Sequence, residues 1–80
     1  MIVVDAAMRR KIAEIPVGGQ PMAVAFSPDG RRPHVSNRLD DSVSVIDTAA
    51  RQTIATISVN DEPHGLVTDR TGRLLYVLGP

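Results

Sequence analysis

The side chains of this 80-residue chain that could bind a ligand or do chemistry fall in three short segments rich in Gly, Asp, Asn and Pro, at 16–21, 37–41 and 60–64. They are Gln20, Asn37, Arg38, Asp40, Asp41, Asp61, Glu62 and His64. Carboxylates with one imidazole could hold a hard cation or form an acid–base pair. The alternative is structural, because Asp and Asn are common in loops, where their side chains bond to the turn backbone.

Composition excludes several classes of function. The chain has nine basic and nine acidic residues, so it lacks the basic surface by which proteins neutralise phosphates, and we expect no nucleic-acid partner. With no cysteine and two histidines, it offers no metal site of the usual Cys/His spacing. Only Phe26 and Tyr76 are aromatic, which leaves no stacking platform for sugars or bases.

Membrane insertion and export signals are absent from the pattern as well. No apolar run approaches the roughly 20 residues of a membrane-spanning helix, so no membrane span is predicted. Met1–Asp5 enters an apolar stretch with no basic segment before it, so no signal peptide is predicted and the compartment stays undefined by the sequence.

The elements that must position these residues are short strands. Val, Ile and Thr recur in runs separated by Gly, Pro, Asp and Asn, which is the pattern of an all-β chain. The predicted strands are Ile2–Asp5, Lys11–Val17, Met22–Ser27, Pro33–Asn37, Ser42–Asp47, Thr53–Val59, Gly65–Asp69 and Leu74–Leu78. The segment Ser27-Pro28-Asp29-Gly30 predicts a tight hairpin, in which glycine takes the positive φ that the turn requires.

The sequence repeats with a period of 42 residues. A shift by 42 gives twelve identities among the 38 overlapping pairs, where average composition would give about two or three. The matches include Asp5 with Asp47, Ile15 with Ile57 and Gly30 with Gly72. About four short strands in a unit of this length is the size of a β-propeller blade.

The phase of the repeat divides the chain, predicted to be one partial β-propeller over residues 1–80, into three parts. We predict an outer half-blade at 2–17, a complete four-stranded antiparallel blade at 22–59 and an inner half-blade at 65–78. A propeller covers its strand edges by closing a ring, which two units cannot do alone. The missing partners are therefore further blades of a longer chain, the interpretation we favour, or further copies of this one.

The strand order also places the three polar segments together. The loops that join a fourth strand to the next first strand, Pro16–Pro21 and Asn60–His64, lie on the same side as the second-to-third loop, Asn37–Asp41. Propellers commonly bind ligands on this face, near the central channel. We therefore expect any protein or small-molecule ligand to bind there.

The repeat units resemble the YVTN family of β-propeller repeats. The resemblance rests on "SVSVIDTAARQTIATISV", "EPHGLVTDRTGRLLYVLG" and "IPVGGQPMAVAFSPDGRRPHVSN" and spans nearly the whole chain. It implies a bacterial or archaeal protein of the periplasm or cell surface, commonly with seven blades. The name-giving strand reads His34-Val35-Ser36-Asn37 in one copy and Tyr76-Val77-Leu78-Gly79 in the other. Pro33 enters this strand, where we expect a distortion or a late start, because proline cannot donate to the ladder.

His64 is the candidate for cofactor binding, since some propellers hold a haem-like group through channel-facing histidines. The matching position in the other repeat is Met22, which favours an ordinary structural residue. His34 matches Tyr76 and is predicted to pack, and Gly18-Gly19 is predicted to be a turn. We therefore predict no cofactor, no metal and no catalytic residue in this chain.

Two functional hypotheses remain open. The favoured one is a non-enzymatic propeller module that serves as a scaffold or binding surface within an exported protein. The alternative is a piece of a seven-bladed enzyme, lactonase-like or haem-dependent reductase-like, whose catalytic groups lie outside these residues.

Overall fold

The computed structural model describes residues 1–79 as eight antiparallel strands in three sheets. The strands are β1 (Ile2–Asp5), β2 (Arg10–Glu14), β3 (Pro21–Phe26), β4 (Pro33–Asn37), β5 (Ser42–Asp47), β6 (Gln52–Ser58), β7 (Gly65–Thr68) and β8 (Leu75–Leu78). β3–β6 form a four-stranded central sheet in sequential order. It is flanked by an N-terminal hairpin, β1–β2, and a C-terminal hairpin, β7–β8. The predicted all-β partial propeller, one four-stranded blade with two half-blades, is confirmed.

Each predicted strand is present, and the differences lie at the ends. β2 stops at Glu14, three residues before the predicted end, and Pro16 just beyond cannot donate to a ladder. Pro33 was expected to distort or delay its strand. The ladder to β5 does begin one residue later, at His34, but the ladder to β3 is not distorted at Pro33. It is the first residue of β4, a position that tolerates proline, and it aligns with Phe26 without a register shift.

The 42-residue period holds in the backbone. β2 and β6 begin 42 residues apart, as do β4 and β8. A register shift between Val3 and Val4 recurs between Val45 and Ile46. Gly30 and Gly72 both have φ of 75°, as the predicted turn requires. The repeat thus fixes strand bounds, bulges and turn conformations together.

The central sheet is covered on each side by only one hairpin. On its N-side face, Val35 and Ile46 form a core with Ile15 and pack against Val3 and Val17 of the N-terminal segment. On its opposite, C-side face, β7 lies against β3 and β4, and the Ser36 hydroxyl donates to the His64 carbonyl at 2.9 Å. Each face is therefore covered over part of its width.

Coverage of the N-side face ends before β3. Met22, Val24 and Phe26 point to this face and stay about half exposed, at 47%, 52% and 53%. On the C-side face the uncovered part lies at β6, where Ile54 and Ile57 are 42% and 46% exposed. A sheet inside a propeller is covered on both faces, so these two gaps are where a further half-blade would pack in a ring.

Candidate functional site

The three polar segments, 16–21, 37–41 and 60–64, meet at one end of the sheets, here called the polar edge. Backbone bonds join them: Arg38 N–H donates to the Gln20 carbonyl at 3.0 Å, and Val59 N–H donates to the Asp41 carbonyl at 2.8 Å. The structure thus brings the sequence-predicted loops together on one side of the molecule.

Arg38 links two of these segments through its side chain. Its guanidinium Nη1 donates to Gln20 Oε1 at 3.2 Å, and its Nε donates to Glu62 Oε2 at 3.4 Å. The side chains of Arg38 and Glu62 are 37% and 47% exposed, so solvent screens this ion pair, and it adds little stability. Three of the eight candidate residues therefore satisfy one another.

Asp40 holds the glycine turn in place. Its Oδ2 accepts a 2.6 Å hydrogen bond from Gly19 N–H. A Cβ on Gly18 would lie 2.6 Å from that oxygen and 2.7 Å from Asn37 Cγ, closer than real atoms approach. The Gly18-Gly19 turn, predicted as a simple turn, is also a close approach of backbone to the Asn37 and Asp40 side chains.

Asn37 is buried inside the central sheet. Its Nδ2 donates to Ser42 Oγ at 3.1 Å and to Ser44 Oγ at 2.9 Å, while its Oδ1 is enclosed without a partner in the described part of the chain. A fully buried amide is unable to touch a ligand on the surface. Its contacts indicate that it orders the β4–β5 pair.

His64 is anchored by its backbone. Its N–H donates to the Leu78 carbonyl at 2.7 Å, and its own carbonyl accepts from Ser36 Oγ. The imidazole is half-buried, and its Nε2 is fully covered with no partner among residues 1–79. Met22, at the matching position on β3, is 47% exposed, and the N-terminal hairpin does not contact β3.

Asp41 and Asp61 shape the loops through their backbone. Both have left-handed φ values, 48° and 64°, in a region that Asp tolerates better than most residues. Both side chains are exposed. Among the described residues, no three His, Asp or Glu side chains are grouped as a metal would require.

Surface crevices open around Met1, and two of them reach the polar edge, at Pro21 and at Pro16. Three of them, with volumes of about 280 to 370 Å³, are lined by Met1 together with residues of the N-terminal hairpin, the central sheet or both. The 300 Å³ crevice is bounded by Met22, Val24 and Val35. This crevice is apolar and lies where coverage of the central sheet stops.

Sequence reasoning missed a set of hydroxyl bonds that join successive sheets. Thr53 Oγ1 donates to the Pro16 carbonyl at 2.7 Å, and Thr68 Oγ1 donates to the Phe26 carbonyl at 2.9 Å. Neither threonine recurs at the matching position of the other repeat, where Lys11 and Phe26 stand. The period therefore gave no signal for these bonds.

Residues 1–79 contain no helix, and so none that would be long and apolar enough to cross a membrane.

The chain is similar to parts of two larger solved proteins. It superimposes on hydrazine synthase from Kuenenia stuttgartiensis with a TM-score of 0.93 and 38% sequence identity, over 98% of this chain and 22% of that one. It superimposes on a protein of unknown function from Desulfotomaculum acetoxidans with a TM-score of 0.79 and 26% identity, over 98% of this chain and 26% of that one.

The chain thus spans about a fifth to a quarter of the length of these structures. No family model matches it. No curated protein matches it either. The similarity to a segment of an enzyme therefore concerns fold and sequence, and it does not assign an activity to this chain.

Proposed function

We propose that this chain is a β-propeller repeat module of the YVTN type whose function is to supply a scaffold and a binding surface, without catalytic groups of its own. The assignment of blades follows the repeat, with an outer half at 2–17, a complete blade at 22–59 and an inner half at 65–78. The observation that carries the proposal is that five of the eight candidate side chains of the edge bond within the chain. Arg38 bonds Gln20 and Glu62, Asp40 bonds Gly19, and Asn37 is buried.

A catalytic cluster makes different demands. It needs a titratable group held near a reacting atom, with a neighbour that shifts its pKa. The two carboxyl groups whose pKa is held low, Asp29 and Asp69, lie in the hairpin turns after β3 and β7, outside the polar edge. Their bonding partners are turn residues, so the shift reflects turn structure.

The lengths of the similar proteins support a module within a larger ring. About 78 aligned residues make up 26% of the Desulfotomaculum chain, which is therefore about 300 residues long, or about seven units of 42. By the same arithmetic the hydrazine synthase chain has about 350 residues. By its family resemblance, we propose that the protein is an exported bacterial or archaeal one, whose immediate partners are further blades, supplied by a longer chain or by further copies of this one.

The second candidate is an enzyme in which this segment supplies blades and other segments supply the reacting groups. The 38% identity to a segment of hydrazine synthase favours it. Under this hypothesis, the polar edge would still be structural here, or His64 would contribute its ring to a site completed by other blades.

A segment exchange separates the two. The matching segment of the Kuenenia stuttgartiensis hydrazine synthase chain is replaced by these residues, and folding, assembly and turnover of the hybrid are measured. We expect a folded hybrid in which His64→Met, which restores the residue of the other repeat, leaves turnover unchanged. Turnover abolished by His64→Met in a hybrid that still folds and assembles would instead support the enzymatic candidate.

A further inference from the structure

We propose that the 80-residue polypeptide associates head to tail with a second copy of itself, so that β8 of one copy pairs with β1 of the next and completes a four-stranded blade. This inference rests on the propeller arrangement proposed above. It adds the partner, the register and the faces that meet.

The register follows from the repeat. In the central sheet, β4 pairs with β5 with His34 opposite Val45 and Ser36 opposite Val43. The period places Tyr76 and Leu78 of β8 at the positions of His34 and Ser36, and Val3 and Met1 at those of Val45 and Val43. Tyr76 of one copy is therefore expected opposite Val3 of the next, and Leu78 opposite Met1.

Both edges that would pair are open in residues 1–79. β8 bonds only to β7, and β1 bonds only to β2. Two units of 42 span 84 positions, so the 80 residues leave four positions between the last residue of one copy and the first of the next. By the repeat these are the positions of Leu39–Ser42, which form most of the β4–β5 turn and the first residue of β5. Strand pairing does not depend on that turn, because the ladder bonds join the strands themselves.

The apolar faces left open at the two ends are complementary. Val67, Tyr76 and Leu78 point away from the central sheet and are 56% to 61% exposed. In the proposed pairing they cover Met22, Val24 and Phe26 of the second copy, the gap on its N-side face. A first strand already packs on a first strand within the chain, because β7 covers the face of β3 that carries Ala23 and Ala25.

The remaining gap closes in the same step. Ile2 and Val4 of the second copy, 62% and 55% exposed, would lie over Ile54 and Ile57 of the first. One head-to-tail contact thus covers ten of the fourteen large exposed hydrophobic residues of the chain. None of the ten is charged, and the chain has no net charge to oppose association.

Each copy contributes eight strands, which is two blades, so a closed ring of copies has an even number of blades. Propellers have about four to eight blades, which gives rings of two to four copies. The mass of 8.6 kDa per copy makes these states easy to distinguish.

Disulfide trapping tests the register, since the natural chain has no cysteine. Thr48 N–H donates to the Arg31 carbonyl, so Arg31 and Thr48 form a hydrogen-bonded pair. Hydrogen-bonded and non-hydrogen-bonded pairs alternate along antiparallel strands, so His34/Val45, three positions along, is a non-hydrogen-bonded pair. The pair Tyr76/Val3 inherits this geometry, with a Cα separation of about 4.5 Å, which a disulfide spans. Separately purified Val3→Cys and Tyr76→Cys chains, mass-tagged differently, are mixed and oxidised.

We expect the mixed dimer to dominate, at least tenfold over a mixture of Val3→Cys with Val77→Cys. Val77 is one position off, so its side chain points to the other face. Equal yields from the two mixtures would overturn the register. If the mixed dimer fails to form while sedimentation shows a monomer at tens of micromolar, the association itself is refuted.

A charge substitution tests the faces without touching the ladder. Val24→Lys, in the gap, should weaken association at least tenfold in sedimentation. Leu39→Lys should not, because Leu39 is also exposed, at 67% against 52% for Val24, but lies outside the proposed contact. Circular dichroism checks that both stay folded.

A functional hybrid propeller together with a monomeric 80-residue chain would refute only this inference. Association in another register would also count against the blade assignment.

Discussion

Equivalent positions of the two repeats share a backbone but differ in burial. Ile46 is fully buried, whereas Val4, 42 residues earlier and at the same register shift, is 55% exposed. His34 is half-buried under β7, whereas Tyr76 is 56% exposed. The residue types are similar, so the neighbouring sheet decides which copy becomes core. This is the behaviour of a stacked repeat, in which stability comes from interfaces between units.

Removing the core side chain and its exposed counterpart is the strongest way to test that comparison. Ile46→Ala should lower the free energy of unfolding by about 3 kcal/mol, because it leaves a cavity between the central sheet and the N-terminal hairpin. Val4→Ala should cost less than about 0.5 kcal/mol, as an exposed position does. Urea midpoints at low protein concentration measure both.

Protein concentration sharpens the result. If copies associate head to tail, Val4 becomes covered, and the cost of Val4→Ala should grow as the concentration is raised, while that of Ile46→Ala should not change. Equal costs for the two variants at low concentration would contradict the view that the neighbouring sheet sets burial.

The two hairpin glycines provide the next comparison. Gly30 and Gly72 have the same φ of 75°, yet a Cβ on Gly30 would meet nothing within 4 Å, while one on Gly72 would lie 2.9 Å from Pro28 Cδ. Gly30→Ala should therefore cost about 1 kcal/mol from backbone strain alone. Gly72→Ala should cost about 2 kcal/mol, since strain and a ring clash add. Thermal melts of both variants measure these losses of stability. A smaller loss for Gly72→Ala than for Gly30→Ala would show that the two turns do not touch.

Much of this architecture is predictable from the period. A shift by 42 residues gives the strands, the positive φ of both glycines and the meeting of three loops at one edge, because repeated units fold alike. Burial of Asn37 and the internal bonding of Arg38 were not predictable, since they depend on which side chains the loops bring within reach. The same limit applies to Thr53 and Thr68, whose bonds between sheets have no counterpart in the other repeat.

The turns themselves differ in an instructive way. In the first, Ser27 Oγ donates to Asp29 Oδ1 at 2.6 Å, while in the second the carboxylate comes first and Thr71 Oγ1 donates to Asp69 at 3.0 Å. Both arrangements satisfy the same two backbone N–H groups of the following residues. The turn therefore requires one hydroxyl and one carboxylate, in either order.

Exchange of the two groups tests this requirement. Thr71→Asp alone should destabilise the second turn, because it places two carboxylates together and removes the hydroxyl. Adding Asp69→Ser recreates the first turn and should restore stability. The double-mutant cycle is measured by urea unfolding, with an expected loss for the single variant below that of Gly30→Ala. A double variant no better than the single one would show that the order matters.

The smallest expected effect concerns acid. The pKa of Asp29 is held below its ordinary 3.8, first by the Ser27 hydroxyl, whereas that of Asp69 is held low first by the Leu74 backbone N–H. Because both pKa values are lower in the folded chain, each carboxylate stabilises the fold above about pH 4, and that contribution is lost as pH falls below it. Carboxyl NMR titration should show Ser27→Ala raising the pKa of Asp29 toward 3.8. Thr71→Ala should move the pKa of Asp69 less, because its leading partner is backbone. Equal pKa shifts in the two turns would mean that the hydroxyl group, and not the main chain, is the main cause of the low pKa of both aspartates.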